Sequence, residues 1–80
     1  MPDTAALDRA ESLIRTIPDY PSPGIQFRDI TPLLADAAAL RAVTRALIEP
    51  FEGGFDVVGG IEARGFLLAG VIAAEASVGL

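Results

Sequence analysis

These 80 residues contain no cysteine, no histidine and no tryptophan. Without cysteine no disulfide can form, and no Cys or His cluster exists to hold a metal, so neither of the usual staples of a small fold is present. The lack of cysteine agrees with a reducing compartment. Long apolar runs are missing too. The most apolar window, residues 65–74, is about ten residues, against the roughly 20 that span a bilayer. The N-terminal stretch MPDTAALDRAE lacks the basic start and apolar core of a secretory signal. Positive charge is scarce: six Lys and Arg against eleven Asp and Glu give a net charge of −5. That balance argues against nonspecific nucleic-acid binding, which relies on a basic surface. A soluble, cytoplasmic protein with no membrane and no nucleic-acid partner is the expectation.

Apolar residues, by contrast, are plentiful. They make up 51% of the chain, which excludes disorder and implies a core. At this length there is one domain at most, and a small one. Leu7, Ala10, Leu13, Ile14 and Ile17 recur at spacings of three and four, which predicts an amphipathic helix over residues 4–17 with Thr4 as N-cap and Pro18 as its end. Residues 18–30, PDYPSPGIQFRDI, hold three prolines and Gly24, which predict a stiff, irregular segment. The same segment carries Tyr20, Ile25, Phe27 and Ile30, each costing about 1.5–3 kcal/mol to leave in water. Such a loop is expected to be pinned to a core, or to present Phe27 as a flat wall for a ring-shaped ligand. Thr31-Pro32 reads as the start of a short helix, with Thr as cap. Asp36 then caps a helix over 36–51, with Leu40, Val43, Leu47 and Phe51 on one face and Arg41, Arg45 and Glu49 on a solvated one.

Residues 55–66, FDVVGGIEARGF, carry the chemistry. A strand over 55–60 stops at a glycine pair, a polar knot follows at 61–65, and an apolar helix runs over 65–76. Strand, glycine-containing turn and helix is the unit with which α/β proteins hold anions at a strand's carboxyl end. Arg64 adds a planar fork suited to phosphate, and Gly65 permits close approach of backbone to ligand. The alternative is a structural ion pair of Arg64 with Glu62 or Glu75. The last helix is apolar almost all round, which predicts cover on most sides. Val78-Gly79-Leu80 looks like the opening of a second strand. One strand cannot make a parallel sheet, so the sequence is expected to be an N-terminal piece of a longer α/β domain.

PDYPSPGIQFRDITPLL followed by DVVGGIEARGF closely resembles the adenine phosphoribosyltransferase family, from about Ile14 to Leu80. The resemblance implies an α/β fold, the N-terminal part of a type I phosphoribosyltransferase: a parallel sheet flanked by helices, with a small hood. It implies transfer of phosphoribose from phosphoribosyl pyrophosphate (PRPP) to adenine, giving AMP and pyrophosphate in purine salvage. It also implies a homodimer and Mg²⁺ bound through the diphosphate. Glu62, Ala63, Arg64 and Gly65 stand where the family holds pyrophosphate, and the Glu62–Ala63 bond where it has a cis peptide. Phe27 stands where an aromatic stacks on adenine, and the backbone at Gln26 and Arg28 where the purine edge is read. The family's PRPP signature and its mobile catalytic loop have no counterpart here, so no catalytic residue is assigned and the 80 residues alone are expected to be inactive. A phosphoribosyltransferase for another purine, or a non-catalytic PRPP- or purine-sensing regulator of the same fold, are the alternatives.

Overall fold

The computed structural model describes residues 4–80. They fall into two compact units, one running to Val43 and the other from Thr44 to Leu80.

In the first unit, helix α1 spans Thr4–Ser12, five residues shorter at its C-terminus than the periodicity predicts, and it already includes Thr4. The chain turns at Leu13 and Ile14, whose N–H groups bond the Ala10 and Glu11 carbonyls at 3.1 and 3.0 Å. It then enters strand β1, Arg15–Ile17. The apolar spacing at 13, 14 and 17 suits a helix face, but β-branched Thr16 and Ile17 suit a strand, and an antiparallel partner is at hand. That partner is β2, Phe27–Asp29, with Arg15 opposite Asp29, Thr16 opposite Arg28 and Ile17 opposite Phe27. Residues 18–30 are therefore a hairpin loop leading into a strand rather than irregular throughout. The prolines lie in the loop, where no ladder hydrogen bond is lost.

Helix α2, Thr31–Leu34, begins after Ile30. Thr31 does not cap it as expected. Its N–H and hydroxyl instead donate to the Asp29 carboxylate at 3.0 and 2.8 Å. Helix α3, Ala37–Ile48, does start as predicted: Asp36 Oδ1 accepts the Ala39 N–H at 2.9 Å, satisfying one of the orphan donors of the first turn. Arg9 grips the same carboxylate with both terminal nitrogens, at 3.0 and 2.7 Å. Ala10, Leu33 and Ala39 form the core, with Leu13, Ile14, Leu34 and Val43 packed against it.

In the second unit, α3 passes into a 3₁₀ turn, Glu49–Phe51. The buried face of α3 coincides with the predicted one only in part, at Val43, which packs against the core. Ala39, Thr44 and Ile48 are buried, whereas Leu47 and Phe51 are exposed. Arg45 is exposed, as expected of a solvated face, and bonds Glu52 at 3.1 Å while lying 3.7 Å from Glu75. The strand predicted over 55–60 is reduced to one parallel bridge, Val57 to Gly79. Val58 N–H donates to Gly79 O at 2.9 Å and Gly79 N–H to Asp56 O at 3.2 Å. A single bridge is what two short parallel segments can form when no third segment pairs with either. Helix α4, Arg64–Ala76, follows the turn and ends at Ser77, whose φ of 59° is left-handed. Cover on most sides is not what it has: Ala69 and Ala73 are buried, but Phe66 and Leu67 are exposed. Among the described residues no helix is long and apolar enough to cross a membrane.

Candidate functional site

The residues singled out from the sequence occupy one stretch in each unit. In the first, Gln26 is exposed, Phe27 half-buried and Arg28 exposed. Phe27 and Arg28 open β2, whose pairing with β1 uses one of its two edges. The other edge leaves backbone donors and acceptors available to a ligand. Two devices hold this stretch. At its far end the Asp29 carboxylate is buried and accepts from Arg15 at 2.6 Å as well as from Thr31. These hydrogen bonds, the Thr31 backbone N–H first, then its hydroxyl and Arg15, bring its pKa down to about 2. At the near end the loop closes on itself. Tyr20 N–H donates to Ile25 O at 3.0 Å, Ile25 N–H to Ser22 O at 3.2 Å, and Gly24 N–H to Asp19 Oδ1 at 2.9 Å. Gly24, at φ 88°, supplies a left-handed turn that a side chain would disfavour. The loop is thus stiff, as its prolines predict, but it is not pressed onto a core, since Tyr20 and Ile25 remain about half exposed.

In the second unit the Glu62–Ala63 peptide is cis, as the resemblance implies. Ala63 occupies the N-cap of α4 with no side chain capping the helix. Arg64 is the first residue of that helix, one earlier than predicted, and it is exposed. The first-turn N–H groups of a 13-residue helix carry the positive end of its dipole, so Arg64 stands where two sources of positive potential add. The structural alternative fails. Glu75 is engaged by Arg45, and among the described residues Arg64 makes no ion pair with Glu62 or Glu75.

Gly60 is the residue that sequence reasoning undervalued. It reads as a strand terminator, but a Cβ there would fall on the Gly65 carbonyl oxygen, 2.6 Å from its carbon and 2.9 Å from the Ala69 Cβ. The start of α4 can therefore lie against the preceding segment only because position 60 has no side chain. The signal available was the small-residue set Gly60, Gly65 and Ala69, which marks close helix–strand approach. Gly65 is less constrained by packing, because a Cβ there would meet Gly60 at an ordinary 3.5 Å.

No family model matches the chain. It is 54% identical over 79 residues to the adenine phosphoribosyltransferase of Renibacterium salmoninarum, an alignment covering 99% of this chain and 43% of that protein. Over its length the chain is similar to adenine phosphoribosyltransferases. Its structure matches the adenine phosphoribosyltransferase of Rhodothermus marinus with a TM-score of 0.84 at 47% identity, over 96% of this chain and 44% of that one. A Giardia lamblia adenine phosphoribosyltransferase, solved with 9-deazaadenine, matches with a TM-score of 0.83 at 40% identity, over 91% of this chain and 41% of that one. The fold is accordingly α/β, part of the type I phosphoribosyltransferase architecture. The chain spans under half the length of the relatives it matches.

Proposed function

We propose that this chain supplies the base-binding stretch and the pyrophosphate turn of an adenine phosphoribosyltransferase, which forms AMP and pyrophosphate from adenine and PRPP. The observation that carries this reading is Arg64, exposed at the first position of α4 and free of the carboxylates nearest it in sequence. An arginine that makes no ion pair among the described residues, at an uncapped helix N-terminus, suits a diphosphate, which takes charge-assisted bonds from both the guanidinium and the backbone. Glu62, Ala63 and Gly65 shape the turn around it. In the other stretch Phe27 stacks against adenine, and the backbone at Gln26 and Arg28 reads the purine edge.

Leaving pyrophosphate accumulates negative charge as the ribose becomes oxocarbenium-like, so charge stabilisation and alignment dominate over acid–base chemistry. Arg64 stabilises the leaving group, and Phe27 orients the base toward the sugar. Among the described residues no three metal-ligating side chains stand together. Mg²⁺, which belongs to the same family reading, would be ligated chiefly by diphosphate oxygens and water and would supply charge neutralisation on the leaving group. Homodimerisation and a cytoplasmic location belong to the same family reading.

The test is Arg64→Ala in the complete protein carrying this sequence. Loss of one charge-assisted contact should lower kcat/KM for PRPP by on the order of 2 kcal/mol, roughly 30-fold, and weaken pyrophosphate inhibition in parallel. Unchanged PRPP kinetics would return Arg64 to a structural role. The 80 residues alone should form no AMP.

A further inference from the structure

Tyr20 lies on the hairpin loop with 53% of its surface exposed, too open to contribute much to a core. Its ring nevertheless meets that of Phe27 in a T-shaped arrangement, centroids 5.2 Å apart and planes at 71°. Both partners are held independently. The β1–β2 register, which sets Ile17 opposite Phe27, fixes the Phe27 backbone. The hydrogen bond from Tyr20 N–H to Ile25 O, with the Asp19–Gly24 bond beside it, fixes the backbone of Tyr20. What the backbone does not fix is the rotation of the Phe27 ring, because an aromatic χ2 is a broad, soft torsion. A T-shaped neighbour supplies that restraint, since edge and face carry opposite partial charge.

We propose that Tyr20 is a positioning residue for the purine base: it holds the Phe27 ring at the tilt against which the planar heterocycle stacks, without touching the phosphate chemistry. This rests on the reading of Phe27 as the stacking wall. Losing the restraint leaves Phe27 present but free to rotate, so part of the binding free energy of the base goes into ordering the ring.

The experiment compares Tyr20→Leu, Tyr20→Phe and Phe27→Ala in the complete protein. It measures adenine Kd by equilibrium dialysis, KM for adenine and for PRPP, kcat and melting temperature. Tyr20→Leu is expected to raise Kd and KM for adenine roughly three- to tenfold, with KM for PRPP and melting temperature unchanged. Tyr20→Phe, which keeps the ring, should restore adenine binding. Equal losses for adenine and PRPP, or a fall in melting temperature alone, would make Tyr20 a structural residue and overturn the inference. Should Phe27→Ala weaken adenine binding while Tyr20→Leu does not, the inference fails and the stacking wall stands. Should Phe27→Ala leave adenine binding intact, the stacking wall fails and takes the inference with it.

Discussion

The two units differ in how much of what they need lies within them. Among the described residues up to Val43 the exposed large hydrophobic ones are Tyr20 and Ile25. From Thr44 onward they are Leu47, Phe51, Val57, Ile61, Phe66, Leu67, Val71 and Leu80. The first unit is built from an antiparallel hairpin, an Asx-type turn from Asp29 to Thr31, and a helix whose capping Asp36 is also held by Arg9. The second is built around a parallel bridge, and parallel strands find their partners only through long connections. Thus one unit pairs its polar groups within itself, while the other presents apolar surface. The proposed base-binding stretch belongs to the first kind, the proposed pyrophosphate turn to the second.

The sharpest way to break this contrast is Gly60→Ala. If the second unit depends on the close seat of α4, the added methyl should destabilise the protein by about 3 kcal/mol or more, since its nearest obstacle is backbone. A melting temperature near that of wild type would show that α4 can shift at no cost. Leu33→Ala addresses the first unit, where Leu33 is a core residue at 6% exposure. About 2–4 kcal/mol should be lost in denaturant unfolding, and a loss under 1 kcal/mol would mean that the local polar clasps, not this small core, hold the unit.

Asp29→Asn separates the clasp from the core. Because the folded pKa of Asp29 is depressed to about 2, its ionised form contributes stability that is fully present above the ordinary carboxylate range. That contribution is lost as pH falls through about 2. Asp36, lowered by Arg9 and the start of α3, acts in the same sense. The stability gap between wild type and Asp29→Asn should therefore be constant near neutrality and narrow below about pH 4. A gap independent of pH down to 2 would remove the carboxylate from the account. Smallest in effect is Gly70→Ala in α4, where a Cβ meets nothing within 4 Å. It should stabilise by about 0.5–1 kcal/mol through helix propensity. Destabilisation would reveal a close neighbour on that face.

Much of this was legible in the order of residues. Asp36 as a cap, the turn-to-helix step at Glu62-Ala63-Arg64-Gly65 and the hydrogen-bonded turn of the proline-rich loop all follow from local chemistry. The misreadings have a common cause. Leu13, Ile14 and Ile17 fit a helical face, but Arg15–Ile17 became a strand because β2 lies opposite, and no window of α1 contains that fact. Likewise the spacing of Leu40, Val43, Leu47 and Phe51 marks one face of α3, whereas Ala39, Thr44 and Ile48 are the buried residues, which only packing against distant residues decides.

The sequence by itself determined the elements whose causes are short-range: the Asp36 cap, the start of α4 and the motifs it shares with adenine phosphoribosyltransferases. Only the tertiary structure decided that Arg64 stays unpaired by Glu62 and Glu75, that Gly60 must lack a side chain, and that Tyr20 meets Phe27. Each of these depends on which groups distant in the chain are brought within a few ångströms, and periodicity carries no information about that distance.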